Sequence, residues 1–579
     1  MKKISLLLLL LAGVTGLHAE VLFDAEKRPG FTRPEPDQAL TSPKTFVEED
    51  RVKSKAPGWQ PNGIRVYDTT GSANRQRICT DGNSGAIICW DERYRGGFSD
   101  SDYDVYAQRV DSGGNLRWQS QGVPICTLSA SNSNYTAMVA DGYGGAIIAW
   151  EDNRSGLPKV YAQRVDSMGN KLWTENGVNV CSYHSGYVDL CSDGHGGAII
   201  AYMDGRNSAV TSDDIYAQRI DSVGNPAWMV DGVPVCTADS IQFWPHIVMD
   251  GLDGAVITWE EDLRNGNYDI YAQRINCLGN TVWLTNGLEI SVKPNRQDKS
   301  DLCRNNYGGA IIKWNDYTDS NTYAQSLDSL GNKKWLNNGV NLNGGYSGYI
   351  NSILFWGGVT NVYNAQYIDS LGNVKWGDGI LLHGDSTGSG FGANSDMFNN
   401  LFVVWDINIS LNYYDQFVQK VDTNGNLMWG FGGVSICTLK ILNESYPKVV
   451  NDCLGGAICT WGRIYAQRIY ADGTPGGVAG EPGESSIFKV SGLKVFPNPV
   501  EYYANIRYTM SQSGKVRIVV YNIAGQLVRI LEDGDAQAGD YIVKWDGCDN
   551  NGKSVSSGMY FVCMKNSDII ITNKIIKIK

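Results

Sequence analysis

Four arginines, Arg93, Arg154, Arg206 and Arg264, stand shortly after a Trp or Tyr and near an aspartate, respectively Asp91, Asp152, Asp204 and Asp262. Three aromatic residues, Tyr135, Tyr187 and Trp244, lie in or just after the polar segments that follow the same landmarks. Aromatic faces flanked by guanidinium and carboxylate groups can stack on and hydrogen-bond to a sugar or a peptide. The same W-x-D-x-R pattern can also form one loop-stabilising ion pair in each unit, and its recurrence favours that structural role.

Chemistry beyond binding has little support. Past the first nineteen residues the histidines are His184, His195, His246 and His383, none beside an obvious nucleophile. No GxSxG, HExxH or phosphate-binding loop occurs, and the carboxylates are too scattered to single out a glycosidase pair. With no CxxC pair or Cys/His cluster at metal-ligand spacing, no metal site and no cofactor are expected.

The elements that carry these residues are repeats. An apolar run ends at Trp90, Trp150, Tyr202, Trp259, Trp314, Trp356, Trp405 and Trp461, mostly 50 to 60 residues apart. A Tyr-Ala-Gln-Arg run follows each, intact at Tyr106, Tyr161, Tyr216, Tyr271 and Tyr465, altered at Tyr323, and decayed at Asn364 and Phe417. Next comes Asp-Ser-x-Gly-Asn-x-x-Trp, with its Trp at 118, 173, 228, 283, 335, 376 and 429; Trp59 supplies an eighth. It looks somewhat like the Asp-box of sialidases, with longer spacing, and Asp-boxes mark a structural turn.

Each unit holds four short runs bounded by Gly, Asn and Asp, the pattern of strands joined by tight turns. Four strands at this period predict an all-β fold with an eight-bladed β-propeller at 57–475, seven blades being the fallback because the sixth unit is faded. The first unit starts with an outer-type strand and the last ends without one, so the N-terminal strand is expected to complete the last blade. Closure would remove exposed sheet edges. The recurrent Trp, Tyr and Ile read as core, and the Asp and Gly-Asn positions as turn formers. The two short turns of each unit share one face of the disc. All length variation falls on the other face, which is where binding is expected.

Met1–Ala19 has the charged start, leucine run and small-residue end of a secretory signal peptide, too short to span a membrane. Residues 20–56, rich in Pro, Lys and Glu, read as a linker. No Cys follows Ala19, which argues against a lipoprotein anchor, and no later apolar run could cross a bilayer. The net charge of -12 argues against nucleic acid as a partner. Although 13 cysteines in an exported chain would normally suggest disulfides, most fall where sister units carry Val, Ala or Ser. They read as buried free thiols.

After a Gly/Pro/Ser linker at 476–491, residues 492–579 hold six or seven strands, enough for a small immunoglobulin-like β-sandwich. Here Phe496-Pro497-Asn498-Pro499, Val520 to Gly525, Trp545-Asp546-Gly547 with Gly552, and Ser557-Gly558-Met559-Tyr560 occur in order. This stretch resembles the C-terminal sorting domain of type IX secretion cargo and the related immunoglobulin-like domain of flagellar hook-capping proteins. The resemblance implies a Bacteroidota-like cell, outer-membrane secretion machinery as a partner, and passage through the periplasm to the exterior. The expectation is therefore a secreted or surface-attached binding protein for an extracellular glycan or protein. A polysaccharide or peptide hydrolase on the variable-loop face and a structural surface component are its rivals.

Overall fold

The computed structural model describes residues 58–578 except 68–71, 94–102, 129–133, 211, 264–266, 292, 306, 343–352, 358–362, 378, 384–390, 397–398, 411–412, 438–445, 478–492, 497–499, 501–503, 511–513, 523–525, 538, 551 and 567–569. Among the described residues there is no helix. The fold is an eight-bladed β-propeller followed by a two-sheet immunoglobulin-like sandwich.

Blade 2 shows the plan: an inner strand Asn134–Ala140, then Ala146–Asp152, Lys159–Val165 and the short outer strand Val178–Asn179, all antiparallel. Blades 1, 3, 4, 5 and 7 repeat it, with inner strands Ser72–Thr80, Ser185–Ser192, Ile241–Met249, Gln297–Arg304 and Phe391–Ser395. Blade 6 shows three strands, Ile353–Gly357, Tyr363–Tyr367 and Ile380–His383; residues 343–352 before them lie outside the described set. Blade 8 takes three strands from Lys448–Asn451, Ala457–Trp461 and Tyr465–Ile469, and its outer strand from Ile64–Arg65 at the other end of the chain.

The second strands are apolar on both sides because each sheet is sandwiched between two others. Trp90, Trp150, Tyr202, Trp259, Trp314, Trp405 and Trp461 are fully buried, and most stack on the Tyr or Phe opposite, as Trp259 does on Tyr271 at 6.2 Å.

Neighbouring blades are tied by one repeated clasp. The Trp that closes each Asp-Ser-x-Gly-Asn-x-x-Trp segment donates its indole N–H to a carbonyl in the corresponding turn of the next blade: Trp118 to Ser167, Trp173 to Ser222, and so on through Trp429 to Ala471 at 3.0–3.4 Å. Trp59 does the same to Ser112 at 3.0 Å, so blade 8 clasps blade 1 and the ring closes. At four seams an arginine of the third strand reaches the same carbonyl, as Arg164 reaches Ser222 at 3.1 Å and Arg468 reaches Ser112 at 2.7 Å. The turn glycine has two reasons to be glycine. Gly169 has φ +90°, and a Cβ there would sit 2.8 Å from Cγ of Trp118.

In the sandwich, three strands (Lys494–Phe496, Ala504–Met510, Gly539–Trp545) face four (Gly514–Asn522, Leu527–Ala536, Gly558–Asn566, Ile570–Lys577). Ile506, Tyr508, Ile518, Val520, Trp545, Tyr560 and Val562 form one core between the sheets.

Candidate functional site

The inner strands start at the variable-loop face, and five of them carry a bulge there, at 74/77, 134/137, 186/189, 243/246 and 298/301. In four of these bulges a large residue takes the left-handed backbone: Arg75 (φ 53°), Tyr187 (φ 49°), Trp244 (φ 51°) and Lys299 (φ 53°). Such a conformation costs of order 1–3 kcal/mol for a non-glycine residue and persists only where its surroundings enforce it.

At Tyr187 and Lys299 the support comes from the preceding blade. The residue directly after the buried Trp reaches across: Glu151 Oε2 accepts the Tyr187 N–H at 3.4 Å, and Glu260 Oε1 accepts the Lys299 N–H at 2.7 Å. Asp91, in the same position, accepts the Thr136 hydroxyl. Blade 3 has Met203 there instead, and it packs in the apolar cluster under Trp244.

The bulges of blades 3 and 4 place Tyr187 and Trp244 edge to face, with ring centroids 6.3 Å apart. The strip continues from Trp244 to Phe243 at 4.4 Å and from Phe243 to Tyr268 at 5.2 Å. Arg296, tethered to Asp298 at 2.9 Å, then lies over the Tyr268 ring at 4.4 Å and near that of Tyr317 at 5.7 Å. Tyr187, Trp244, Tyr268 and Arg296 are half-buried, so each keeps part of its surface open. Three blades thus contribute to one aromatic and cationic band at the channel mouth. Just inside it, Asp189 Oδ2 meets Nδ1 of His246 at 3.4 Å and the Ile247 N–H at 3.2 Å. Burial lowers the His246 pKa, but Asp189 and Asp301 outweigh it and raise the ring above the usual imidazole range, with Lys313 opposing them.

The arginines are placed elsewhere. Arg154 binds Asp152 through Nε at 2.8 Å, caps the Asn176 carbonyl at 3.0 Å and stacks on Tyr161 at 3.9 Å. Arg206 repeats this with Asp204 and with Tyr216 at 3.8 Å. Both hold an outer-strand turn within their own blade, and neither joins the aromatic band. In blade 5, Lys293 takes the role from the crossover, bonded to Asp316 at 2.7 Å. Asp91 is not an equivalent of Asp152 and Asp204: it stands one residue after its Trp, they stand two, and alternation along a strand puts the two positions on opposite sides of the sheet.

Arg264 lies outside the described residues, as do the side chains of Arg93 and Tyr135 and residues Pro497, Asn498, Pro499 and Gly525. The other sorting-motif residues are sandwich determinants. Trp545 packs on Tyr560 at 5.1 Å, Asp546 caps the Cys548 N–H at 3.0 Å, and Gly547 has φ 72°. The Tyr560 hydroxyl donates to the Ser556 carbonyl at 2.7 Å, and the exposed Gly558 begins the next strand with φ 156°. All thirteen cysteines are free thiols, and burial pushes Cys89 and Cys181 up to about 12. Among the described residues no cluster of His, Cys, Asp or Glu could hold a metal ion.

Sequence reasoning missed Glu151, His246, Tyr268, Arg296 and Lys299. The parity of Glu151 relative to Trp150 was a readable signal; the bulge that turns Lys299 and its neighbours was not.

The buried carboxylates predict a pH dependence. Burial pushes Asp91 up to about 6 and Glu151 and Asp269 to about 7. Between pH 4 and 7 the folded state therefore holds protons that the unfolded chain has released, and stability falls as pH rises through that window. Asp369 works the other way only below its ordinary range, since Asn373 and nearby backbone N–H groups hold its carboxylate low. The expected result is a higher denaturant midpoint at pH 5 than at pH 8, corresponding to an unfolding free energy larger by on the order of 2 kcal/mol, because a tenfold change in proton affinity on folding is worth about 1.4 kcal/mol. Equal midpoints at the two pH values would refute it.

Residues 503–568 match the model of the FlgD Ig-like domain. No curated protein matches the chain. Among solved structures, the endo-arabinase from Bacteroides thetaiotaomicron is similar at 12% identity and a TM-score of 0.26, over 47% of this chain and 96% of that one. A Hadza microbial sialidase is similar at 9% identity and a TM-score of 0.34, over 64% and 74%. Puromycin hydrolase is similar at 10% identity and 0.37, over 79% and 62%. At these scores the likenesses carry no argument about chemistry.

Proposed function

We propose that this chain is a secreted or cell-surface β-propeller that binds an extracellular glycan through the band Tyr187–Trp244–Phe243–Tyr268–Arg296, and that the C-terminal domain is its export signal. The observation that carries the reading is the aromatic strip itself: the bulges hold Tyr187 and Trp244 edge to face in neighbouring blades, at a backbone cost, with both rings only half-buried and part of each left open. Sugars fit such a site because their apolar C–H faces stack on aromatic rings, while the half-buried Arg296 and Asp189 beside the rings offer hydrogen bonds to hydroxyls. A peptide ligand would use the same surface. For a hydrolase, Glu151 near neutrality is the suggestive group, yet its carboxylate already serves the Tyr187 amide.

The test is a glycan array and pull-down with the full chain and with Trp244→Gly, which removes the ring but suits φ 51°. Binding should weaken about 30-fold or more, the worth of an aromatic anchor, while relief of the left-handed strain offsets part of the packing lost from the apolar cluster, so the variant should stay folded by its melting curve. Saturable binding that survives Trp244→Gly would place the ligand elsewhere; binding only to proteins would replace the glycan. Protease shaving of intact cells, with and without residues 492–579, tests the export route: a chain still displayed without them would remove the sorting role.

A further inference from the structure

The opposite face, whose turns are nearly invariant, carries an apolar surface that the fold does not need. In the Asp-Ser-x-Gly-Asn turn the backbone uses only the N–H of residue x, which the Asp side chain accepts, as Asp166 does from Met168 at 2.8 Å. Where x is apolar its side chain has no part in the turn. Blades 1, 7 and 8 place Gly113, Asn424 and Asp472 there, so the position takes small or polar residues readily. Yet five consecutive blades, 2 to 6, carry Met168, Val223, Leu278, Leu330 and Leu371, each 68–76% exposed.

A second row lies inside the first. In the Asp-Gly-x-Gly-Gly turns of the same blades stand Tyr143 (67% exposed), Leu252 (57%) and Tyr307 (39%). Neighbouring turns of this inner row touch across the seams: a ring carbon of Tyr143 comes within 3.0 Å of where a Cβ on Gly196 of blade 3 would be, and Leu252 comes within 3.2 Å of the same point on Gly308 of blade 5. Side chains of this size and exposure present about 100–150 Å² each, so the eight together present roughly 1,000 Å², against about 800 Å² per partner in a standard stable interface.

We propose that this crescent is a self-association surface on which a second copy of the chain docks face to face. Blade 4 is the midpoint of the run from 2 to 6. A two-fold axis along the radius of blade 4 therefore lays Met168 against Leu371, Val223 against Leu330, and Leu278 against its own copy, matching apolar to apolar along the outer row. The dimer would thus turn both variable-loop faces outward, available for ligand, and linking two sites multiplies avidity without new contacts.

Sedimentation velocity and light scattering of the full chain from about 1 to 100 μM test it. The expected result is a dimer of micromolar or tighter affinity. Leu278→Asp should weaken it about 100-fold or more, since the axis brings the two introduced charges together. Leu330→Asp, off the axis, should weaken it too, while Val210→Asp, 79% exposed on the opposite face, should leave it intact. Because these side chains are exposed, melting temperatures taken well below the dimer dissociation constant should match the parent, which separates lost association from lost folding. A monomer throughout the range overturns the proposal, as does a dimer indifferent to both leucine variants. A monomer that floats with phosphatidylethanolamine/phosphatidylglycerol vesicles, and stops floating in Leu278→Asp, would overturn it in favour of a lipid surface.

Discussion

Trp59→Ala is expected to cost about 4 kcal/mol of folding stability, in the range of buried Trp truncations, and to open the ring. The indole is only 6% exposed, donates to the Ser112 carbonyl at 3.0 Å, and is packed by Gly114 from blade 1 and Gly476 from blade 8. The strand it anchors pairs through only two residues, Ile64 with Ala466 and Arg65 with Tyr465, supported by Val66 N–H to the Ile464 carbonyl at 2.9 Å. So short a ladder cannot hold by itself, and without the indole the Tyr465–Ile469 strand becomes a free edge. Urea unfolding should show the lower midpoint, and limited proteolysis should cut within residues 58–67 before the rest of the propeller. Trp228→Ala, at an interior seam with a half-buried indole, should cost less and leave the termini protected. A Trp59→Ala protein that unfolds within about 0.5 kcal/mol of the parent, the scatter of ordinary surface changes, would show that closure does not depend on this clasp.

Arg164→Ser should cost about 3–5 kcal/mol, the penalty for leaving a buried charge without its partner, and the double variant Asp141→Asn/Arg164→Ser should recover a large part of it. Asp141 is 1% exposed; its Oδ1 accepts the Tyr143 and Gly145 N–H groups at 2.8 Å, and its Oδ2 takes the Arg164 guanidinium at 2.9 Å. Removing the arginine strands the carboxylate. Blade 5 shows the neutral solution in the same fold: Asn305 Oδ1 accepts the Tyr307 and Gly309 N–H groups, while its amide donates to Ser326 Oγ at 2.9 Å and the Leu327 carbonyl at 2.7 Å. A coupling of about 2 kcal/mol between the two sites is expected, within the range for contacting residues. The double variant unfolding earlier than Arg164→Ser would mean that blade 5 tolerates Asn305 for reasons not transferable to blade 2. The clasp from Arg164 to Ser222 is lost in both variants, so it drops out of that comparison.

These two results bear on why the fold was legible. The clasp residues recur because every seam poses the same problem: an orphaned turn carbonyl, a face to cover, and a glycine under an indole. Eight copies of one solution write a period into the chain, and the period reveals strand number, turn positions and core. The arginines were legible in the same way, and their recurrence in Arg154 and Arg206 reflects a local job done twice.

Residues that act across a seam leave no such trace. Glu151 supports Tyr187, and Glu260 supports Lys299, over 36 and 39 positions of sequence. Asp91 and Asp152 look interchangeable in a string but face opposite ways, because one residue of offset in a strand reverses the side chain. The apolar residues at x in the invariant turns were visible as letters. That they stand exposed, in consecutive blades, on one face depends on how the units are arranged around the ring.

By itself the sequence determined the fold class, the core and the turn chemistry, since these follow from short-range alternation repeated at a fixed period. Tertiary structure decided which aromatic residues meet at the channel mouth, which carboxylates reach the bulges beneath them, and which turns expose apolar residues in consecutive blades on one face. Those are contacts between blades, and their partners are set by ring closure and by bulges that shift register, neither of which local periodicity encodes.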